Sequence, residues 1–170
     1  MTTFIALLRA VNVGGTGKLP MADLKAICSD AGFTRVQTYI ASGNVVFACE
    51  DAKSKVKSEI EKRLEAYAGR PIGVLLRTGS EMQAVLKANP FAKGAPNHTY
   101  VLFLDKSPPS DALDKVVGVN DEEIRLGKCE IYVHYPSGMG RSKLKIPAGK
   151  SGTARNMNTV AALADMAAKP

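Results

Sequence analysis

With 170 residues, the chain can bury one good core or two small ones sharing an interface. Its 45% hydrophobic and 23% charged content is that of an ordinary soluble globular protein, and no run approaches the ~18 consecutive apolar residues of a membrane span, so no membrane partner is expected. A formal net charge of +7 points to anionic rather than cationic partners.

The first predicted element is a nearly continuous apolar strand, Thr3–Val11. Its apolar core, Phe4 to Leu8, ends at Arg9 and is too short for a secretory h-region. Gly14-Gly15-Thr16-Gly17 breaks the chain, and Pro20 suits the first turn of a helix carrying Met21, Leu24, Ile27 and Ala31 at helical spacing, with Gly32 as its C-cap. Two strands follow, Arg35–Ala41 and Asn44–Cys49, joined at Ser42-Gly43. Asp51 is the expected cap of a second helix with the buried stripe Val56, Ile60, Leu64 and Tyr67. Gly69-Arg70-Pro71 stops it before a fourth strand, Ile72–Arg77. That order is βαββαβ, the ferredoxin-like unit.

Ser80 with Gln83 reads as a capping box opening a helix through Ala88. A turn-rich connector follows at 89–97. The pattern then restarts with strand Thr99–Leu104, helix Ser110–Val117 and strands Glu123–Leu126 and Glu130–Tyr135. A long polar loop leads to a last helix from about Ala154 to Ala168, capped by Thr153. The expected fold is therefore α+β: duplicated ferredoxin-like units of mainly antiparallel sheet, residues 1–88 and 98–170, joined by the connector.

Charge is distributed unevenly. Residues 131–170 carry 6 basic and 1 acidic side chains, and none of residues 131–164 is Asp or Glu. Arg141, Lys143, Lys145, Lys150 and Arg155 fall in that stretch among Gly, Ser, Asn and Thr. A basic surplus in one Gly-rich segment is the footprint of an anion-binding surface.

Motifs that would specify a reaction do not match. Gly14-Gly15-Thr16-Gly17-Lys18 lies between strand and helix, but Asn12 and Leu19 occupy the positions where a P-loop needs Gly and Ser or Thr. A Gly-rich turn beside a helix start is either an anion cradle or a tight connection needing positive φ. Ser137-Gly138-Met139-Gly140-Arg141-Ser142-Lys143 has Lys143 where the dinucleotide fingerprint ends in Gly. Arg141 there is suited to bidentate grip of a phosphate or carboxylate, with Lys143 as a point charge; a solvated basic loop is the other reading. Arg155, Asn156 and Thr159 at the start of the last helix form either a binding group or a tie to a neighbouring loop, the structural role being favoured. Asp121-Glu122-Glu123 reads as a solvated turn. Tyr132 and His134 alternate away from Ile131 and Val133, most simply on a covered sheet face.

The two histidines, His98 and His134, stand alone, and no metal or cofactor site is expected. Cys28, Cys49 and Cys129 form no CxxC pair and read as inert thiols in a reducing cytosol.

Several segments together carry a resemblance: Leu7-Leu8-Arg9-Ala10-Val11-Asn12-Val13-Gly14-Gly15, Lys18-Leu19-Pro20-Met21, Tyr39-Ile40-Ala41-Ser42-Gly43-Asn44-Val45-Val46-Phe47, Asn89-Pro90-Phe91, Tyr135 to Leu144, and Thr153 to Val160. In this order the chain resembles the bacterial family called domain of unknown function 1697, departing at Met157, where the family typically has Trp. The resemblance implies a paired ferredoxin-like architecture and no specific reaction. Its polar motifs fall on loops, which makes Arg9, Asn12, Lys18, Ser42, Asn44, Arg141, Ser142, Lys143, Arg155 and Asn156 the candidate anion-binding residues. The functional expectation is a cytoplasmic protein binding a phosphate-bearing or other anionic ligand, a small molecule or nucleic acid. The alternatives are an enzyme acting on a small anionic metabolite and a structural or oligomerisation module.

Overall fold

The computed structural model describes residues 1–9 and 18–169. The chain forms two compact units, Met1–Met82 with Leu163–Pro170, and Gln83–Ala162. Each contains a four-stranded sheet in which every neighbouring pair is antiparallel.

In the first unit the elements are β1 (Thr2–Leu8), α1 (Met21–Asp30), β2 (Thr34–Thr38), β3 (Asn44–Cys49), α2 (Lys53–Ala68) and β4 (Val74–Thr78), with sheet order β2-β3-β1-β4. Alternation on β1 sends Phe4, Ala6 and Leu8 into a core with Val45 and Phe47 of β3. Leu24 and Cys28 of α1 and Val56, Ile60 and Leu64 of α2 close that core. Phe33 stacks on Phe47 with ring centroids 4.4 Å apart. Ile5 and Leu7, on the opposite face of β1, are also fully buried, which explains why this strand reads as a continuous apolar run. The expected extension of β1 over Ala10 and Val11, and the Gly14–Gly17 turn, lie outside the described residues.

Local details differ from expectation. Helix α2 begins at Lys53 with Ala52 at its N-cap; the Asp51 carboxylate instead accepts from Lys55 Nζ at 3.3 Å. Tyr67 is 46% exposed rather than part of the buried stripe, because its hydroxyl reaches Asp23 on α1 at 2.6 Å. Gly69 does end the helix, with φ of 74° and its N–H donating to Glu65 O. β2 is an edge strand with a register shift between Thr34 and Gln37, and Arg35 within it has φ of +54°.

Helix α3 (Gly79–Lys87) opens with a capping box two residues earlier than expected. Thr78 N–H donates to Glu81 Oε1 at 2.8 Å and Glu81 N–H returns to Thr78 Oγ1 at 3.2 Å.

The second unit holds β5 (Thr99–Phe103), β6 (Glu123–Leu126), β7 (Glu130–His134) and β8 (Thr153–Asn156), in the order β6-β7-β5-β8. Numbered within their own units, both sheets run second-third-first-fourth, as an internal duplication requires. The helices between strands are not repeated. The expected helix Ser110–Val117 is only a 3-10 turn at Ala112–Lys115. The counterpart of α2 is an irregular segment with short 3-10 turns at Met139–Arg141 and Pro147–Gly149.

The start of the expected last helix is a strand instead. β8 pairs with β5 through Tyr100↔Asn156 to Phe103↔Thr153, and this ladder overrides the local helical pattern. Helix α4 runs Met157–Ala168, and its first turn is capped by Asn156, whose Oδ1 accepts the Thr159 N–H at 3.0 Å, not by Thr153. Tyr132 is 2% exposed, with its hydroxyl donating to Val85 O at 2.8 Å, so this sheet face is covered as expected.

Replacing Asn156 by Ala is expected to lower unfolding free energy by about 1 kcal/mol through loss of the cap. The exposed neighbour Asn158 replaced by Ala should change it by less than about 0.5 kcal/mol. Urea titration of both variants measures the difference.

Candidate functional site

The second unit carries a cleft of about 300 Å³ between the chain at 118–122 and the chain at 137–143. Its walls follow from how the irregular segment packs. Leu144, Ile146 and Ala148 lie against the sheet face formed by Ile131, Val133, Tyr135, Tyr100 and Leu102. The alternate residues Lys143 and Lys145 are therefore turned to solvent. Val117 and Lys145 exchange backbone hydrogen bonds of 3.1 and 2.9 Å, tying the two walls at one end. Gly118 follows directly, with φ of +77°, and a Cβ there would strike the Lys143 carbonyl. Glycine is required at this position by both conformation and space.

Two carboxylates line the cleft opposite the cations. The Ser137 hydroxyl donates to Asp121 Oδ2 at 2.6 Å. The Ser142 hydroxyl donates to Glu122 Oε2, and the Asn120 N–H donates to Glu122 Oε1 at 2.7 Å. Ser142 Oγ also accepts the Leu144 N–H at 3.1 Å. These bonds place Glu122 at 9% exposure, so it is not the solvated turn residue expected from sequence. The bond from Ser142, followed by that from the Asn120 N–H, holds the Glu122 carboxyl below its ordinary value. The basic segment is acid-free in sequence but not in space.

Arg141 and Lys143 are exposed, and among the described residues neither has an ion-pair partner. Gly138, with φ of +88°, precedes the 3-10 turn that presents Arg141. The cleft therefore holds two cations available for a ligand and two carboxylates already engaged by hydroxyls and an amide.

The other candidate residues occupy different places. Arg155 is 7% exposed, and one guanidinium nitrogen donates to Thr153 Oγ1 at 2.7 Å and Ala154 O at 2.9 Å. Burial pushes its pKa down to about 10, so it remains a cation at neutral pH, turned into the fold. Asn156 is the helix cap. In the first unit, Asn44 is fully buried and its Nδ2 donates to Tyr39 O and Ser42 Oγ, closing the β2–β3 hairpin. The Arg9 N–H donates to Gly73 O at 2.9 Å, and the Arg9 side chain lies along the same glycine. Lys18 is exposed beside α1, and Asn12 lies outside the described residues. Within the second unit, Arg141, Ser142 and Lys143 share the cleft, while Arg155 and Asn156 serve the β8–α4 junction.

A family described as protein of unknown function (DUF1697) matches residues 1–132. The chain belongs to this family. The DUF1697 match takes in the Met1–Met82 part of the first unit and reaches the Asp121–Glu122 wall, ending before most of the basic segment. The chain is also similar to the solved structure of the conserved bacterial protein SP0830 from Streptococcus pneumoniae, at 25% identity and a TM-score of 0.83 over 99% of each chain. No curated protein matches. Among the described residues no helix is long and apolar enough to cross a membrane.

The Glu122 bonds imply a pH signature. A carboxyl whose pKa is depressed on folding contributes stability above its unfolded value, about 4.3, and loses it as pH falls through the folded value. The stability gap between the natural protein and Glu122→Gln is expected to be full at pH 7 and to narrow below about pH 4. Thermal melts across that range measure it.

Proposed function

We propose that the second-unit cleft binds a phosphate-bearing or other anionic ligand. The observation that carries this reading is the asymmetry of pairing. Asp121 and Glu122 already accept hydrogen bonds from Ser137, Ser142 and the Asn120 amide, while Arg141 and Lys143 have no ion-pair partner among the described residues. Two like charges repel by about 1 kcal/mol at 4 Å in water, and by about 4 kcal/mol where the effective dielectric constant is near 20. An anion seated between the two cations removes that cost and adds charge-assisted hydrogen bonds.

Binding is favoured over acid–base catalysis because of Glu122. The bonds that lower its pKa keep it ionised at neutral pH, a poor proton donor and a weak base. We read each unit as ferredoxin-like, on the shared second-third-first-fourth strand order, the second having lost its helices. A reducing, cytoplasmic setting is supported by three cysteines that form no disulfide, of which Cys28 is buried and pushed up to about 12 by desolvation.

Charge reversal, Arg141→Glu, is expected to weaken binding of inorganic phosphate by about tenfold or more, a loss of roughly 1.4 kcal/mol. The melting temperature should change little, because an exposed loop cation contributes within about 0.5 kcal/mol of stability. Calorimetric titration at low salt alongside thermal melts tests both halves. Phosphate binding that is equal in the two proteins would remove the reading.

A further inference from the structure

We propose that the ligand of this cleft is a small phosphomonoester whose organic part donates hydrogen bonds, a phosphorylated sugar or polyol by chemical class. This rests on the anion-binding reading above and adds a role for the acidic wall. Asp121 Oδ2 accepts from Ser137, while its second oxygen has no hydrogen-bond partner among the described residues. Glu122 is more fully engaged, by the Ser142 hydroxyl and the Asn120 N–H with the Asp121 and Glu122 amides also turned toward it, so the open acceptor on this wall is chiefly Asp121. Ser137 and Ser142 already give their protons to these carboxylates, so a ligand hydroxyl can donate to the open oxygen of exposed Asp121 in place of water.

Charge then sets the polarity of the ligand. The cations of the 137–143 wall draw a phosphate toward Arg141 and Lys143, and Asp121 and Glu122 repel any second anionic group. A bare anion gains from one wall and loses to the other. A polynucleotide, with a phosphate at every nucleotide, cannot meet the basic wall without bringing charge to the acidic one. A phosphate at one end and hydroxyls at the other satisfies both. The volume agrees, because about 300 Å³ sits at the lower end of small-molecule sites.

The experiment is calorimetric titration of the full chain at low salt with ribose 5-phosphate, methyl phosphate, inorganic phosphate, ribose and a short single-stranded oligonucleotide. Ribose 5-phosphate is expected to bind about tenfold or more tighter than methyl phosphate, since hydrogen bonds to a charged group carry that discrimination. Asp121→Asn should shrink the preference several-fold without weakening methyl phosphate, and Arg141→Gln should weaken both esters together. Glu122→Gln provides a second test of the acidic wall, and thermal melts confirm that each variant is folded.

Methyl phosphate matching ribose 5-phosphate, an unchanged preference in folded Asp121→Asn and Glu122→Gln, ribose binding as tightly as its phosphate, or the oligonucleotide binding tightest would each overturn the assignment while leaving anion binding standing. If no phosphate compound binds, or Arg141→Gln changes no affinity, the anion-binding reading itself fails and takes this one with it.

Discussion

The seating of Leu144, Ile146 and Ala148 on the second sheet is the contact on which the candidate site depends. A segment without helix or ladder has few ways to hold a shape, and here alternate apolar side chains do it by partial burial, each contributing less than the roughly 1.5–3 kcal/mol of a fully buried large aliphatic group. The same alternation fixes where the cations go. Once Leu144 and Ile146 face the sheet, Lys143 and Lys145 have to face water. The Val117–Lys145 backbone pair then sets the distance to the opposite wall.

The two units show what one strand order permits under different coverings. In the first, α1 and α2 lay continuous apolar stripes over the sheet and close a dense core. In the second, short turns and an irregular segment do the covering, with Tyr100, Leu102, Ile124 and Leu126 only partly buried. Looser covering leaves backbone walls with room between them. Binding groups placed on such walls can vary without disturbing a helix stripe.

How much of this was legible follows from which interactions are local. The β6 and β7 boundaries at Glu123–Leu126 and from Glu130 were readable because alternation and a turn lie within one short window. β8 was not, since Thr153–Asn156 becomes a strand only by pairing with β5 about fifty residues earlier. The caps expected at Asp51, Ser80 and Thr153 fall elsewhere: Ala52 begins α2 with no side-chain cap, Thr78 pairs with Glu81 at α3, and Asn156 caps α4 where β8 ends. The basic side of the cleft was visible as composition. Its acidic side was not, because Glu122 finds Ser142 twenty positions away. Polar type alone put Asn44 among the binding candidates although it is buried in closing a hairpin, whereas Arg155, for which the structural role was the favoured reading, is folded against its own strand.

The bulge in β2 bears on how this chain behaves in a crowd. An edge strand offers unpaired amides and carbonyls to any other extended chain. β2 is such an edge, yet its ladder is interrupted between Thr34 and Gln37, and Arg35 sits at a backbone angle an added strand could not follow. A charged side chain at the break discourages pairing further. The irregularity thus acts as a barrier to edge-to-edge growth of the folded sheet.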